Sequence, residues 1–270
     1  MDYIPKIIHY CWFGGKPLPE LAQKCIASWR KYCPDYEIKE WNEGNIDLSS
    51  VDYMREAYEE KVWGFVPDVA RLQIIYNNGG IYLDTDVEII KNFDDLLINS
   101  AFFGIEEGRG RKEYCVNLGL GFGAEKGNQM IEFLLKDYQK RHFRTSDGTL
   151  DRTPSPQIQT MALYKKGFIS KDSMQKICDA TIYPMEYFCP LSYKKGIITI
   201  TKNTHSIHHY DASWFTEDEK KIKQVRQKIY QKCGHLAPLI WLFVHIILKV
   251  QQDGLKKTFF KAIIKIKAGQ

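Results

Sequence analysis

The stretch that decides the fold reads Gly79-Gly80-Ile81-Tyr82-Leu83-Asp84-Thr85-Asp86-Val87-Glu88-Ile89-Ile90. Its residues alternate with a period of two, which is the period of a β-strand. One face would be largely apolar, and the other would carry the carboxylates of Asp84, Asp86 and Glu88. Because like charges on one strand face repel each other, this alternation predicts a strand with a cation bound at its acidic face.

The segments before this stretch alternate between strand and helix patterns. Apolar, β-branched residues predict a strand over residues 4–12, and alternation predicts another over residues 36–41. Apolar residues at helical spacing predict helices over residues 19–32 and 67–77. The second of these helices ends at Asn77-Asn78-Gly79-Gly80, a typical C-terminal stop signal. This order predicts an α/β sheet that contains parallel strand pairs.

The segments after this stretch are patterned less regularly. Residues 116–124 contain three glycines and predict a strand close to something bulky. Residues 145–157 are polar and predict a loop, and residues 206–210 predict a short strand. The capping box Thr216-Glu217-Asp218-Glu219 opens a lysine-rich helix.

The composition is that of a globular protein. The chain has 270 residues, of which 44% are hydrophobic, enough for one large domain or for one domain and an appendage. Its seven cysteines are scattered and form no C-x-x-C pair, which favours free thiols in a reducing compartment. Residues 1–15 contain an acid and no long apolar run, unlike a signal peptide. We therefore expect a cytoplasmic protein.

The net charge of +5 is concentrated at the C-terminal end. Residues 234–270 contain six lysines and a single acid, Asp253, whereas residues 1–233 contain 32 basic and 32 acidic residues. A body that binds nucleic acid would carry a basic face of its own, so this distribution argues against nucleic acid as a partner. It predicts a neutral body over residues 1–233 and a basic tail over residues 234–270.

The tail combines an apolar run with a basic amphipathic pattern. The run from Leu236 to Leu248 has 13 residues, and a bilayer span needs about 20. After Gly254, apolar residues recur at helical spacing, with lysines on the opposite side. This pattern predicts a helical tail that lies in a membrane interface. The alternative is a helix pair that packs against the body.

Asp84 and Asp86 offer hard oxygen ligands. Such ligands suit Mg²⁺ or Mn²⁺, which usually take one or two carboxylates while phosphate and water complete the shell. An Asp-x-Asp pair alone is more often two solvated acids. Here, however, Asp68 and Arg71 share one face of the preceding helix, which ends directly before the acidic strand. An ion pair within that helix is the alternative, but it does not explain why the pair precedes the two aspartates.

The complete pattern is Asp68-x-x-Arg71, Gly79-Gly80 and Tyr82-x-Asp84-x-Asp86, with Ile4-Pro5-Lys6-Ile7-Ile8-His9 and Trp12 near the start. It resembles glycosyltransferase family 32, which includes bacterial capsule and polysaccharide glycosyltransferases and the yeast initiating α-1,6-mannosyltransferase. The catalytic domain of the large clostridial glucosylating toxins is similar in the same motifs. The resemblance extends over residues 3–90, is weaker over residues 206–214 and is loose between them.

The resemblance implies a fold, a donor and a cofactor. The implied fold is GT-A-like, a Rossmann-type mixed α/β sheet flanked by helices over residues 1–233, with residues 234–270 as a C-terminal helical appendage. The implied donor is a nucleotide-diphosphate hexose, and a UDP-hexose is preferred to GDP-mannose. Mn²⁺ or Mg²⁺ would bridge the diphosphate of this donor. The implied reaction retains the anomeric configuration. The acceptor would be a glycan or lipid-linked oligosaccharide in surface polysaccharide synthesis. Together with the basic tail, this predicts an enzyme that is peripheral on the inner face of the plasma membrane.

The same resemblance implies roles for the residues of the motif. Asp68 and Arg71 would bind the donor sugar and its phosphate-proximal oxygens. Tyr82 and Asp84 would hold ribose or sugar hydroxyls, and Asp86 would ligate the metal directly. Asp84, Asp86 and Arg71 are therefore the predicted catalytic residues.

Three further residues match the family individually. Trp12 would stack on the nucleotide base, a contact that contributes roughly 1–3 kcal/mol, although a core aromatic is the alternative. Asn117 resembles a family asparagine near the donor sugar. Gln157 resembles a position in the acceptor loop.

The segment from Asn203 to Trp214 contains three of the seven histidines. In the family, a residue of this region closes over the diphosphate and can ligate the metal. His208 and His209 would face opposite sides of an extended chain, so only one of them can reach the site. We favour His208 as a metal ligand, with His209 as the alternative. Ser213 and Trp214 would cap the phosphates.

Two other kinds of protein fit the same residues less well. A module that binds a nucleotide sugar without catalysis would not need the whole set of acidic and basic residues. A metal-dependent phosphohydrolase would normally need more clustered histidines and aspartates for two metals.

Overall fold

The computed structural model describes residues 3–108, 113–211 and 217–253. The chain forms two compact units, each of which is described by itself. The first comprises Met1–Leu191 and Ile198–Trp214, and the second comprises Ser192–Ile197 and Phe215–Gln270.

The first unit alternates strands and helices. Its strands are β1 (Ile7–Cys11), β2 (Glu37–Trp41), β3 (Gly80–Tyr82), β4 (Val87–Ile89), β5 (Ala101–Glu107), β6 (Tyr114–Val116), β7 (Phe122–Ala124), β8 (Gln175–Ile177), β9 (Ala180–Tyr183) and β10 (Ser206–His208). Its helices are α1 (Glu20–Tyr32), α2 (Asp52–Glu59), α3 (Pro67–Asn78), α4 (Gln129–Tyr138), α5 (Ser155–Tyr164) and α6 (Met185–Phe188). Short 3₁₀ turns cover Asp94–Leu96 and Leu118–Leu120.

The main sheet mixes parallel and antiparallel pairs. Its strand order is β2-β1-β3-β7-β5-β9-β8, with β6 paired to β5. β1 runs parallel to both β2 and β3, whereas β7 runs antiparallel to β3 and β5. The carboxyl ends of β1, β2 and β3 therefore meet at one edge, which is where open α/β sheets bind ligands. The predicted α/β class, a mixed sheet flanked by helices, is confirmed.

Helices cover both faces of this sheet. On one face, helices including α3 and α4 bury an apolar cluster that contains Val69 and Leu72. On the other face, α1 contributes Trp29, whose indole Nε1 donates a hydrogen bond to the carbonyl oxygen of Val87 at 2.7 Å. Each large apolar side chain buried in this way contributes roughly 1.5–3 kcal/mol. This packing holds α3 and the β3–β4 connection in fixed positions.

The acidic stretch is not one continuous strand, and that prediction was wrong. β3 ends at Tyr82, the chain turns at residues 83–86, and β4 leaves the main sheet to pair antiparallel with β10. The amide of Val87 donates to the carbonyl oxygen of Asp84 at 3.0 Å and closes the turn. Because β3 and β4 each bury their own apolar side chains, the alternation continues on both sides of the turn and hides it.

Two other predicted elements also differ from the structure. Residues 116–124 form β6, a 3₁₀ turn and β7, because the Asn117 side chain caps the turn by accepting from the amide of Gly119 at 2.7 Å. The loop predicted over residues 145–157 is shorter, since α5 begins at Ser155 with a proline in its first turn. Proline is tolerated there because the first amides of a helix have no intrahelical acceptor.

The second unit is helical. It contains α7 (Glu217–Cys233) and α8 (Ala237–Asp253), joined by a 3₁₀ turn. Among the described residues, Lys220–Leu248 is the one helical stretch long and apolar enough to cross a membrane, by length and composition only. It exceeds the 13-residue apolar run because the helix continues on the N-terminal side. α7 and α8 share one unit, and the functional division between residues 1–233 and 234–270 stays a prediction.

Candidate active site

Two aspartates and a histidine meet at the carboxyl end of β3. Asp84 and Asp86 lie in the turn after β3, and β10 places His208 opposite Val87. The potential ligand atoms of the three side chains lie within 4.8 Å of one another. Side chains two residues apart on a strand are separated by about 7 Å along the chain. The turn therefore brings the carboxylates closer together than the predicted strand would.

The two adjacent histidines have different partners. His208 Nε2 lies 3.2 Å from Asp86 Oδ1, whereas His209 Nε2 lies 2.8 Å from Glu88 Oε2. The backbone amide of His209 donates to the carbonyl oxygen of Asp86 at 3.0 Å, so this residue holds the turn through its main chain. His208 is thus the histidine that joins the cluster, and its role as a metal ligand stays a prediction.

A buried ion pair on α3 lies beside the cluster. Arg71 Nη2 donates to Asp68 Oδ1 at 2.6 Å, and Arg71 Nη1 lies 3.6 Å from Asp84 Oδ1. Asp68 and Arg71 are each only 3% exposed. Arg71 Nε also donates to the carbonyl oxygen of Pro67 at 2.9 Å, which fixes the plane of the guanidinium. The ion pair within the helix is therefore present, and it also reaches the first aspartate of the turn.

Burial and neighbouring charge shift the pKa values of the three aspartates differently. Burial raises the pKa of Asp68 to about 6, against the opposing effect of Arg71. Burial also raises the pKa of Asp84, again opposed by Arg71. Burial acts in the same direction on Asp86, but the charge and hydrogen bond of His208 outweigh it, and the pKa falls to about 2. Asp86 is therefore the carboxylate of the three that stays ionised to the lowest pH.

The donor set fits a divalent cation. Carboxylate oxygens are the ligands that Mg²⁺ and Mn²⁺ prefer, and a neutral imidazole is a common metal ligand. Over residues 3–108, 113–211 and 217–253, Asp84, Asp86 and His208 form the one group of three such side chains at this spacing. With three protein ligands, a six-coordinate cation would keep positions for phosphate oxygens and water.

Two predicted donor-binding residues lie at the same edge of the sheet. Trp12 directly follows β1, is half-buried, and donates from its indole Nε1 to the carbonyl oxygen of Lys16 at 2.5 Å. Tyr82, the last residue of β3, is buried, and the centre of its ring lies 5.2 Å from the guanidinium carbon of Arg71. The structure thus places Tyr82 against the arginine, which it helps to position.

The other predicted binding residues are placed in different surroundings. Asn117 is buried next to the turn that contacts Asp84. Gln157 is exposed on α5, whereas Gln159 is buried and its Oε1 accepts from the amide of Leu118 at 3.2 Å. The predicted phosphate-capping residues Ser213 and Trp214 lie outside the described residues.

Sequence reasoning missed two residues that complete the site. Glu106, near the carboxyl end of β5, accepts hydrogen bonds from Asn117 Nδ2 at 2.9 Å and from the Tyr210 hydroxyl at 3.1 Å. Gly119 lies so close to Asp84 that a Cβ atom at this position would overlap the carboxylate. The one available signal for Glu106 is its position as the first acid after an apolar strand.

Comparison with known proteins agrees with the motif. Residues 19–103 match the family model described as "Glycosyltransferase sugar-binding region containing DXD motif". This part of the chain, about a third of its length, is therefore similar to the sugar-binding region of that glycosyltransferase family. The matched region contains α3 and the turn with both aspartates, so the predicted family resemblance is confirmed for the part of the chain that carries them. His208 and Glu106 lie outside the region that the family model covers.

Curated members of the glycosyltransferase class are similar over part of this chain. Inositol phosphoceramide mannosyltransferase 1 of Schizosaccharomyces pombe is 30% identical over 117 residues, which is 38% of this chain and 34% of the relative. Inositol phosphoceramide mannosyltransferase 3 of the same organism is 34% identical over 102 residues, 35% of this chain and 27% of the relative. The chain thus matches about a third of each relative's length.

Solved glycosyltransferase structures are similar at a lower level. PaToxG Glycosyltransferase aligns with a TM-score of 0.46 at 20% identity, and the alignment covers 62% of this chain and 71% of the PaToxG chain. A glycosyltransferase involved in glycosylation of the major capsid of PBCV-1 aligns with a TM-score of 0.44 at 12% identity, over 82% of this chain and 100% of its own. At these TM-scores the structural similarity does not assign a role to any residue of this chain.

Proposed function

We propose that this chain is a retaining, metal-dependent glycosyltransferase that moves a hexose from a nucleotide-diphosphate sugar to a glycan or lipid-linked acceptor. The observation that carries the proposal is the convergence of Asp84, Asp86 and His208 beside the buried Asp68–Arg71 pair. The family match supports the chemical class, and the geometry supports this choice of residues. Acidic ligands next to a fixed guanidinium are suited to a diphosphate that carries a sugar.

Each residue of the cluster contributes a separate function. Asp86 and His208, with Asp84, would hold Mn²⁺ or Mg²⁺, which when bound supplies positive charge to the departing diphosphate. Arg71 is fixed by Asp68 and Pro67, so its guanidinium needs little reorganisation to bind oxygens of the sugar and phosphate.

The remaining predicted residues would surround the donor and acceptor. Trp12 would stack on the nucleotide base, and Tyr82 would support Arg71 while facing the ribose or sugar hydroxyls. Asn117 would lie near the donor sugar. Gln157 would contact the acceptor from α5, and Ser213 with Trp214 would cap the phosphates.

The proposals for acceptor and donor rest on the names of the relatives, and the proposal for the biological setting rests on the resembled family. The names of both yeast relatives give mannose as the sugar and inositol phosphoceramide, a lipid, as the acceptor. These names support a lipid-linked acceptor for this chain, and we propose GDP-mannose as a donor alongside the UDP-hexoses. We propose surface polysaccharide synthesis as the setting, as the bacterial members of the resembled family suggest.

We propose that α8 attaches the enzyme to the cytoplasmic face of a membrane. Its side chains Leu239, Leu242, Phe243, Ile246 and Ile247 recur at helical spacing and are each between 45% and 62% exposed. α7, in the same unit, carries six basic and three acidic residues. An exposed apolar stripe with nearby cations suits the surface of an anionic bilayer.

The test is a screen of nucleotide sugars with Mn²⁺ by thermal shift, followed by assays with and without acceptor. A donor at 100 times its Kd stabilises the folded state by about 2.7 kcal/mol, which is readily detected. Asp86→Asn should lose the Mn²⁺-dependent shift. Asp35→Asn should keep it, because Asp35 lies on the surface and pairs with Lys6.

Three outcomes would contradict the proposal. The first is the absence of an Mn²⁺-dependent shift with any UDP-hexose or with GDP-mannose. The second is hydrolysis of the donor's diphosphate bond to a nucleoside monophosphate and a sugar phosphate without transfer to any acceptor, which would favour a phosphohydrolase. Donor binding without any turnover would favour a non-catalytic binding module.

A further inference from the structure

Glu106 lies where two segments of the site meet. It follows the apolar part of β5. Its Oε2 accepts two hydrogen bonds, one from Asn117 Nδ2 at 2.9 Å and one from the Tyr210 hydroxyl at 3.1 Å. Two donors on one carboxylate oxygen form charge-assisted hydrogen bonds, which are roughly twice as strong as neutral ones. The partners are 11 and 104 residues away in the sequence. Glu106 therefore links two segments that approach the cluster separately.

The first link leads from Asn117 to Asp84. With its Nδ2 held by Glu106, Asn117 presents its Oδ1 to the amide of Gly119 at 2.7 Å. This bond caps the 3₁₀ turn at Leu118–Leu120. The turn in turn contacts Asp84, whose carboxylate lies against the Gly119 Cα and whose amide lies 3.4 Å from the Gly119 carbonyl oxygen. A change in the Asn117 rotamer would therefore move the surface against which Asp84 rests.

The second link leads from Tyr210 to His208 and Asp86. The rings of Tyr210 and His208 are 4.2 Å apart. Tyr210 also has a φ of 55°, a left-handed conformation that is costly for a bulky residue unless its surroundings fix it. This conformation directs the next amide, that of Asp211, to Asp86 Oδ2 at 2.8 Å. The hydroxyl bond to Glu106 helps to hold Tyr210 in this conformation.

We propose that Glu106 is a positioning residue that sets the spacing of Asp84, Asp86 and His208 through Asn117 and Tyr210. The inference rests on the proposed metal-dependent function, because a cation needs these three ligands at fixed separations. Groups that orient metal ligands typically change metal affinity by 10- to 100-fold when they are removed. Glu106 acts through its two hydrogen-bond partners and is not itself a ligand.

The experiment measures Mn²⁺ affinity of the full chain without donor, by the electron paramagnetic resonance signal of free Mn²⁺. Glu106→Ala should raise the Kd for Mn²⁺ by 10- to 100-fold. Glu106→Gln should stay within about threefold of the wild type, because an amide carbonyl oxygen can accept both hydrogen bonds. Tyr210→Phe removes one hydroxyl and should give an intermediate Kd. It tests the second link even where the alanine variant does not fold.

Asp86→Asn separates this inference from the proposed function. If Asp86→Asn binds Mn²⁺ as the wild type does, the metal site itself is wrong. If Asp86→Asn loses Mn²⁺ but Glu106→Ala and Tyr210→Phe keep wild-type affinity, only the positioning role fails. Equal losses in Glu106→Ala and Glu106→Gln would also overturn it, since they would show that the negative charge itself is needed at the cation.

Discussion

Gly119→Ala should impair metal binding and turnover while leaving the fold intact. A Cβ atom at this position would lie 3.2 Å from Asp84 Cγ and 3.0 Å from Asn117 Oδ1, and closer still to Asp84 Oδ2. The Asp84 carboxylate must therefore move by about 1 Å to restore an ordinary van der Waals contact. A misplacement of about 1 Å in an active site can cost about 100-fold in rate, or about 2.7 kcal/mol of transition-state stabilisation.

The stability of this variant should change little. Asp84 has a short side chain and lies in a turn, so its carboxylate can rotate away without disturbing the sheet. The backbone of Gly119 does not have a positive φ, and alanine there should alter the free energy of unfolding by no more than about 1 kcal/mol. The loss should therefore appear in function before it appears in the melting temperature.

The assay compares kcat/KM at saturating Mn²⁺, the Kd for Mn²⁺ and the melting temperature. Gly44→Ala is the matched control, because a Cβ there would meet only the flexible Asn42 side chain, at 3.2 Å. The control should match the wild type in all three measurements. Wild-type kcat/KM and Mn²⁺ affinity in Gly119→Ala would refute the view that the contact with this turn fixes Asp84.

Three further predictions concern other parts of the molecule. Arg71→Lys should lower kcat/KM at least tenfold, because an ammonium cannot reproduce the guanidinium fork. Arg55→Lys, at a partly exposed position on α2, should not, and equal kinetics in both variants would contradict the role of Arg71. Glu56 accepts from His142 and from two backbone amides, so Glu56→Gln should cost about 1–3 kcal/mol at neutral pH. Burial raises the pKa of Glu56, but these bonds outweigh it and lower the pKa below its ordinary value. The stabilisation should therefore be present above the ordinary glutamate pKa and be lost as the pH falls through the lowered pKa. A melting-temperature gap between the two proteins that stays constant from neutral pH through this acid range would contradict the prediction. Phe243→Ser should weaken sedimentation with anionic vesicles, unlike Met161→Ser on α5, and equal sedimentation would remove α8 as the attachment surface.

Local spacing made part of the site predictable. Asp68 and Arg71 are three residues apart on one helix, so helical geometry alone brings them together. The helix also had clear end signals, and α3 begins and ends within one residue of the prediction. The two aspartates were recognisable as a pair because they are only two residues apart in the sequence. The turn that joins them was not, because the apolar residues of β3 and β4 preserve a period of two across it.

The features of the site that the sequence did not predict depend on contacts between segments that are far apart in the chain. The position of His208 depends on β10 joining β4, which no local pattern specifies. Alternation predicted that adjacent histidines would differ, but their partners come from distant segments. The local sequence does not predict a role for Glu106, because its hydrogen-bond partners are 11 and 104 residues away.

The pairing of β4 with β10 also determines when the proposed metal site can form. Asp211 and Asp86, which the pairing joins, are 125 residues apart. At a synthesis rate of about 5–20 residues per second, roughly 6–25 s pass on the ribosome between the two. During this interval the nascent chain contains both aspartates of the turn without His208. Mn²⁺ would bind the completed fold and not the growing chain, and the cation concentration would then affect how much newly made protein stays folded.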